Sequence, residues 1–148
     1  METEASGEAA AWRIVGLHHV AFAHPSGSGP DEALCRVLGV TPHEESGPGF
    51  VERMFPVGSG YVQSLEASGA GVIQRFLDRR GPGLHHLALE VEGIDAAIDA
   101  LRGDGIRLVD EEARAGGMGS RIAFVHPSAF GGMLVELVEP ATAERPTT

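Results

Sequence analysis

Several features that would place this 148-residue chain in a large functional class are missing from it. It has one cysteine, Cys35, so no disulfide can form within the chain. Its 11 basic residues are outnumbered by 21 acidic ones, and the formal charge of −10 argues against nucleic-acid binding, because no basic surface offsets the acidic one. A local group of arginines could still bind an anionic small molecule.

Long apolar runs are missing as well. No segment approaches the roughly 18 consecutive apolar residues that suggest a membrane-spanning helix. Residues 1–6 are acidic and lack the basic and apolar regions of a secretory signal. We therefore expect a cytoplasmic protein that interacts with neither membranes nor nucleic acid.

The chain does contain an internal repeat. The motif GLHHVA at residues 16–21 returns as GLHHLA at residues 83–88, and VQSLEA at residues 62–67 corresponds to VELVEP at residues 135–140. A copy of about 60 residues would be only marginally stable alone. We therefore expect two half-modules within one domain over residues 12–140, flanked by loose segments at residues 1–11 and 141–148.

Apolar periodicity predicts the order β-α-β-β-β in each half, with modules over about residues 12–69 and 83–140. Strands are predicted at residues 14–24, 50–57, 61–66, 84–91, 106–109, 121–125 and 133–138. Asp31 should cap a short helix that ends at Gly39, and a linking helix is predicted over about residues 70–80. Residues 43–49 read as a polar loop, where a further short strand is uncertain.

Four polar side chains occupy equivalent points of the repeat and predict a metal site. His19 and His86 lie in the first strand of each half, next to small residues that leave room for a ligand, whereas Gln63 and Glu136 lie in the last strands. Two imidazoles, an amide oxygen and a carboxylate suit an octahedral divalent ion such as cobalt, nickel, manganese or zinc, with positions left for water or substrate.

Each of the four residues has an ordinary structural explanation when taken singly, and their symmetric placement carries the prediction. His18 and His85 remain alternative ligands, because the sequence does not fix the register of either strand.

Four further motifs point to a known family. They are GPGLHHLALEV at residues 81–91, GIRL at 105–108, GSRIAFVHP at 119–127 and GGMLVEL at 131–137. Over residues 14–140 the chain resembles the vicinal oxygen chelate superfamily and, within it, the methylmalonyl-CoA epimerase family. This resemblance implies an α+β, glyoxalase-like fold, in which two tandem βαβββ modules form an open half-barrel-like mixed sheet around one metal ion.

By motif position, the resemblance puts the family's ligands on His19, Gln63, His86 and Glu136. Glutamine at the second position matches epimerases, and it counts against extradiol dioxygenases, which use two histidines and a glutamate. The implied partners are an acyl-CoA substrate and, as for other small members of the superfamily, a second copy of the chain in a homodimer.

The chemistry implied by the resemblance is proton exchange at C2 of methylmalonyl-CoA or a close 2-substituted malonyl-CoA. The metal ion, with cobalt the first choice, would hold the thioester and carboxylate oxygens and stabilise the enolate. One group would remove the C2 proton and another would return it from the opposite face. The family assigns one of these roles to the metal-bound glutamate, here Glu136.

The first half departs from the family pattern at the second proton-transfer group. Where the family has Glu-Gln-Gly, this chain has Pro48 followed by Gly49 and Phe50, and proline cannot carry a proton. We assign the role to Glu45, with Glu52 as the alternative. If neither serves, the chain is a glyoxalase-like lyase or isomerase with one-sided proton transfer, or a metal-free binding protein. Candidate contacts to coenzyme A phosphates are Arg75, Arg79, Arg80 and Arg121.

Overall fold

The structure is a computed structural model and describes residues 10–27 and 29–142. The described part contains eight strands and three α-helices, and none of these helices is long and apolar enough to cross a membrane. In chain order the elements are β1 (Arg13–His24), α1 (Pro30–Leu38), β2 (His43–Gly47), β3 (Phe50–Val57), β4 (Gly60–Ala67), α2 (Val72–Arg80), β5 (Gly83–Glu92), α3 (Ile94–Gly103), β6 (Arg114–Ala115), β7 (Arg121–Val125) and β8 (Val135–Glu139). Most of the two segments predicted to be loose lies outside the described residues.

All eight strands form one mixed sheet in the order β2-β3-β4-β1-β5-β8-β7-β6. The halves join at the centre, where β1 and β5 pair antiparallel, and each of these strands is parallel to the last strand of its own half. The sheet is curled so that its two edges come close together. Glu45 on edge strand β2 accepts a hydrogen bond from the backbone N–H of Met118, just beyond edge strand β6. The predicted α+β class and the open half-barrel of two modules are confirmed.

The helices cover different faces of this sheet. Alternation along β5 and β8 turns Val91 and Leu137 away from His86 and Glu136, and α3 packs its apolar side on that outer face. Helix α2 instead places Ile73 and Leu77 on the inner face, against the alanines of β1 and the end of β4. The middle of the inner face is therefore left uncovered.

Two edge elements differ from the sequence prediction. Residues 43–47 form β2 rather than a loop, since their polar side chains show no apolar alternation and the strand is defined by its pairing with β3. Residues 106–109 do not form a strand: only Leu108 makes an isolated bridge, to Val125. The pairing of this segment with β7 goes no further, because the next backbone N–H of β7, that of Phe124, donates to the side chain of Asp110 instead.

The prediction for the first helix was also wrong in one detail. Helix α1 begins at Pro30 with Gly29 at the N-cap position, and no side chain caps it. Asp31 lies inside the first turn and is bound elsewhere, by Arg53. No residue of α1 is fully buried, and Cys35 is only partly buried.

Candidate metal centre and the cavity around it

The structure brings the four predicted ligands together on the inner face, at the centre of the sheet. Strand pairing arranges them in two rows, each with an alanine in the middle: Gln63–Ala21–His86 and His19–Ala88–Glu136. Both alanines are fully buried. A larger side chain at either position would fill the space between the two halves of the site.

The spacing of the ligand atoms fits a single divalent ion. His19 Nε2 lies 3.0 Å from His86 Nε2, and Glu136 lies 3.4 Å from His86 Nε2 and 3.8 Å from His19 Nε2. Ligand atoms bound about 2.1 Å from one ion, at right angles, are about 3 Å apart. These three residues offer ligand atoms that all lie within 4.8 Å of one another.

Gln63 gives a second indication that the site fits a cation. Its Oε1 atom is buried and has no hydrogen-bond partner among the described residues. Leaving such an acceptor without a partner costs about 1–3 kcal/mol. A bound cation would supply that partner and complete a set of two imidazoles, one amide oxygen and one carboxylate.

Burial shapes the charge of these groups. Loss of solvation lowers the pKa of His19 to about 3, with the nearby His18 as a smaller cause, and lowers that of His86 well below 6.5. Both rings are therefore neutral near pH 7, as metal ligands must be. Burial raises the pKa of Glu136 to about 8, and the charge of Glu52 adds to this effect. A cation would relieve the cost of ionising that carboxyl.

His18 and His85 stand behind the two central histidines. Their Nδ1 atoms lie 2.7 Å and 2.8 Å from the Nδ1 atoms of His19 and His86. If the Nε2 lone pairs face an ion, each central ring must donate its Nδ1 proton to the neighbouring histidine. His18 and His85, the alternative ligands, are thus placed to orient the rings of His19 and His86, as hydrogen-bonding partners of metal-bound histidines do.

The position of His18 departs from simple strand alternation, under which it would face away from His19. The pairing of β1 with β5 shifts between Leu17 and His19. His18 and His19 therefore both line the cavity, and Leu17, which precedes the shift, is 53% exposed.

A cavity of about 610 Å³ opens above these residues. Its apolar walls include Phe50, Met54, Tyr61, Ile73, Ile122 and Phe124. Arg75 and Arg114 supply guanidinium groups to the lining. Cavities of this size, with apolar walls and a few polar groups, are typical of small-molecule sites.

The arginines only partly follow the sequence prediction. Arg75 lines the cavity, whereas Arg121 forms a two-bond ion pair with Asp95 and does not belong to the lining. Arg79 and Arg80 are exposed in the last turn of α2. Arg114 was missed because β6 is too short to show a pattern. Its guanidinium lies 5.5 Å from the centre of the Phe124 ring and donates to Asp110.

Two carboxyl groups face the cavity from the first half. Glu45 on β2 and Glu52 on β3 are directly opposite each other and hydrogen-bonded. His43, the main cause, holds the pKa of Glu45 below its usual value, and the backbone N–H of Met118 also donates to it. Burial, followed by the charge of Glu45, raises the pKa of Glu52. Of the two carboxyl groups, Glu45 therefore ionises more readily than Glu52.

The turn that carries Pro48 lies beside these acids. Pro48 is part of the cavity lining, and its carbonyl oxygen comes so near Gly71 that a Cβ atom there would lie only 2.9 Å away. On the other side, a Cβ atom on Gly117 would overlap Glu52 Oε1. Glycines thus allow two loops to close around the carboxyl pair.

Comparison with known proteins agrees with this geometry. The sequence pattern of the Glyoxalase/Bleomycin resistance protein/Dioxygenase superfamily matches residues 18–124. The mitochondrial methylmalonyl-CoA epimerase of Bos taurus is 33% identical in an alignment 138 positions long, which covers 88% of this chain and 78% of that protein.

Solved structures show the same likeness. The crystal structure of methylmalonyl-CoA epimerase from Mycobacterium tuberculosis is similar with a TM-score of 0.81 and 40% identity, over 88% of this chain and 91% of that one. A variant of the Streptomyces coelicolor methylmalonyl-CoA epimerase in complex with 2-nitronate-propionyl-CoA has a TM-score of 0.82 and 28% identity, over 88% of this chain and all of the other. The chain belongs to the Glyoxalase/Bleomycin resistance protein/Dioxygenase superfamily.

Proposed function

We propose that the chain is a metal-dependent epimerase that interconverts the C2 epimers of methylmalonyl-CoA or a close 2-substituted malonyl-CoA. The observation that carries this proposal is the pair of acidic groups beside one cluster of metal-ligand side chains: Glu136 from the second half and Glu45 from the first. Inverting a carbon centre needs a proton-transfer group on each of its faces. The similarity to methylmalonyl-CoA epimerases supports the choice of substrate.

His19, Gln63, His86 and Glu136 would hold the divalent ion. When bound, the ion supplies Lewis acidity, which lowers the cost of the negative charge that develops on the substrate oxygens as C2 loses its proton. Cobalt remains our first choice among cobalt, nickel, manganese and zinc.

The chain's own carboxyl groups would move the proton. Glu45, ionised and fixed by His43 and the backbone of Met118, is placed to take a proton from one side of the cavity. Glu136 would act from the other side, from within the cluster of metal-ligand side chains. In one direction, the C2–H bond breaks toward one carboxylate while its electron pair moves toward the thioester oxygen, and the other carboxyl returns a proton to the opposite face.

The remaining lining would bind the rest of the substrate. Arg114 and Arg75 offer the positive charge that a malonyl carboxylate or the phosphates of coenzyme A require, in a protein of formal charge −10. The apolar walls exclude water from the reacting carbon, which strengthens each of these charge interactions. A homodimer and a cytoplasmic location remain part of the proposal.

The test is isotope exchange in heavy water. The cobalt-loaded protein is mixed with one epimer of methylmalonyl-CoA, and deuterium at C2 and the epimer ratio are followed together. Deuterium incorporation together with equilibration of the epimers is expected. Incorporation with retained configuration would show one-sided proton transfer and assign the chain to the isomerase or lyase alternative. Absence of exchange would rule out this substrate.

A matched pair of variants tests the second acid. Glu45→Gln should slow equilibration by about 100-fold or more, in the range of one general acid or base, while exchange by way of Glu136 continues from one epimer. Glu44→Gln, at the neighbouring residue outside the cavity lining, should leave both rates unchanged. Equal rates in Glu45→Gln and the unmodified protein would remove Glu45 from the mechanism.

A further inference from the structure

Arg114 lines the cavity from the shortest strand of the sheet, which gives its side chain little support. Strand β6 has two residues and lies at the sheet edge, and the Arg114 side chain is 53% exposed. A long side chain in such a position has many rotamers open to it, and fixing one of them when a ligand binds costs free energy. Binding of an anion through Arg114 therefore gains if a neighbouring group holds the guanidinium in advance.

The side chain of Asp110 supplies that support. Arg114 Nε donates a hydrogen bond to Asp110 Oδ1 at 3.1 Å, and the backbone N–H of Phe124 donates to Asp110 Oδ2 at 2.8 Å. Both oxygens of one carboxylate are thus engaged, one with strand β7 and the other with the guanidinium.

We propose that Asp110 is a positioning residue, which fixes the Arg114 guanidinium in the cavity wall for an anionic group of the ligand. The bond to Asp110 uses Nε alone, so the N–H groups of the two terminal nitrogens are left for a carboxylate or a phosphate. The inference rests on the proposed acyl-CoA substrate and adds to it the residue that prepares Arg114 for binding.

The position of the guanidinium supports this role. It lies 5.5 Å from the centre of the Phe124 ring, and that ring meets the His86 ring edge to face, with 5.5 Å between their centres. Phe124 also lies directly opposite Glu136 across β7 and β8. An anion held by Arg114 would therefore lie next to the aromatic ring that borders the candidate metal centre.

The first half contains a parallel arrangement. Glu45 has on β2 the position that Arg114 has on β6, because the two face equivalent residues of β3 and β7. His43 Nε2 lies 2.9 Å from Glu45 Oε1. In each half, the charged side chain that reaches the cavity from the edge strand is thus held by a nearby side chain able to carry the opposite charge.

The sign of the charge separates a positioning role from a general electrostatic one. Asp110 is acidic, and a carboxylate near a bound anion repels it. Removing that charge would by itself strengthen the binding of an anionic ligand. Weaker binding after removal of the charge is expected only if Asp110 acts through Arg114.

The substitution Asp110→Asn tests this with little change in shape. Its amide oxygen can still accept from the Phe124 N–H, which would otherwise be left without a partner, whereas the exposed Arg114 can turn to water. Its NH2 group then faces Arg114 Nε, which is also a donor, so the contact between them is lost. The variant therefore keeps the attachment to β7 and frees the guanidinium.

Steady-state kinetics of the cobalt-loaded protein with methylmalonyl-CoA give the first readout. In Asp110→Asn, KM should rise by about 3-fold, the effect of ordering one long side chain on binding, with a smaller change in kcat. Glu112→Gln removes an exposed charge outside the cavity lining and should leave both constants unchanged. A KM that fell or stayed the same in Asp110→Asn would overturn the inference.

A second background excludes a general structural effect. In Arg114→Gln the side chain to be positioned is gone. Adding Asp110→Asn to that variant should leave KM unchanged or lower it, because only the repulsion by the carboxylate is removed. An equal rise of KM in both backgrounds would overturn the inference, since it would show that Asp110→Asn damages the cavity independently of Arg114.

Calorimetric binding of two ligands identifies the anionic group that Arg114 holds. Propionyl-CoA keeps the phosphates of coenzyme A but lacks the malonyl carboxylate. If Arg114 holds the carboxylate, Asp110→Asn should weaken binding of methylmalonyl-CoA by about 3-fold and leave that of propionyl-CoA unchanged. If it holds a phosphate, both should weaken equally. No weakening for either ligand would contradict the role of Asp110.

Nuclear magnetic resonance of the ligand-free protein keeps this inference separate from the proposed function. The Nε–H resonance of Arg114 should shift in Asp110→Asn and stay in place in Glu112→Gln. If the unmodified protein did not bind methylmalonyl-CoA, the proposed function would fail, yet this resonance would still report whether Asp110 holds the guanidinium. An unchanged resonance in Asp110→Asn would refute the inference whatever the ligand.

Discussion

The two halves of the molecule attach their first helices to the sheet in different ways. Helix α3 buries Ile94, Ala97 and Ile98, and Glu139 accepts hydrogen bonds from the backbone N–H groups at its start. Helix α1 has no buried residue and is tied to β3 through Arg53. One helix is held by apolar burial and the other by charge.

The charged attachment of α1 is a small network. Arg53 Nη1 lies 3.0 Å from Asp31 and 2.6 Å from Glu66, while its Nε donates to Glu44. Arg53 precedes Met54, which pairs with Gln63, and the residue at the equivalent point of the second half precedes Phe124, which pairs with Glu136. That residue is the apolar Ala123, which belongs to the core cluster under α3. A repeated backbone thus tolerates opposite means of support at equivalent points.

The chemistry is divided between the halves as well. Glu45 and Glu52 pair across β2 and β3, and Arg114 and Ile122 pair at the equivalent points of β6 and β7. The first half carries two acids and the proposed amide ligand, whereas the second carries the proposed carboxylate ligand and an arginine. Duplication supplied a symmetric frame, and the substitutions made its two sides different.

The largest expected effect is on metal affinity, and it comes from replacing either of the two histidines that occupy equivalent positions in the halves. His19→Ala and His86→Ala should each lower metal affinity by well over the 10–100-fold that outer partners contribute, because each removes a ligand. Metal content after dialysis, measured by elemental analysis, checks this. His126→Ala, in a turn outside the cavity lining, should keep full metal content. Full metal content in either central variant would refute the site.

Helix attachment is the next comparison. Arg53→Leu leaves three carboxylates near α1 without their cation and should lower the free energy of unfolding by about 3 kcal/mol. Glu139→Gln keeps the shape of the cap and removes its charge, for a loss of about 1 kcal/mol. Urea denaturation measures both. Equal losses would mean that the two helices do not differ in how they are held.

In the metal-free protein, the stability of the fold should depend on pH through Glu136, which can titrate, and not through Gln63, which cannot. Because burial raises the pKa of Glu136 to about 8, the folded chain holds that proton more tightly than the unfolded chain. This contribution to stability is complete below the ordinary carboxyl pKa of 4.5 and is lost as the pH rises through 8. Glu136→Gln should abolish the alkaline loss, as followed by thermal unfolding from pH 5 to 9, roughly the span of these two pKa values.

The acid side of the same titration has a different origin. Burial lowers the pKa of His19 from 6.5 to about 3, so stability falls as the pH drops through that interval, and Glu136→Gln should not change this loss. An alkaline loss that persisted in Glu136→Gln would show that another group is responsible.

The smallest expected effect is on substrate binding, and it comes from Arg114, which occupies in the second half the position that Glu45 has in the first. Arg114→Gln should raise KM for the acyl-CoA substrate by about 10-fold, the effect of roughly 1.4 kcal/mol of binding energy, with a smaller change in kcat. Arg121→Gln disrupts an exposed ion pair outside the cavity lining and should leave both constants unchanged. Similar changes in the two variants would mean that net charge matters rather than the position of Arg114.

The centre of the molecule could be predicted from the sequence and its edges could not. His19 and His86 lie in strands whose burial alternates from the histidine onward, Gln63 and Glu136 lie in the last strand of each half, and the repeat marks each pair twice. Strand β2 has no such alternation, and β6 has two residues; both are strands because they pair with the strands that follow them, β3 and β7. The place of Arg114 depends on the pairing of β6 with β7, and the contact between Glu52 and Gln63 depends on the pairing of β3 with β4. The bulge that turns His18 inward is a property of the β1–β5 register.

The join between β1 and β5 also has a thermodynamic consequence. Each half contributes two of the four ligand side chains, so neither half contains a complete site, and an ion bound there would cross-link them. Association of the two halves raises the affinity of the site for its ion, and the bound ion raises the affinity of the halves for each other by the same factor. A bound ion would thereby stabilise the joined halves against unfolding, by an amount that grows with the concentration of the free ion.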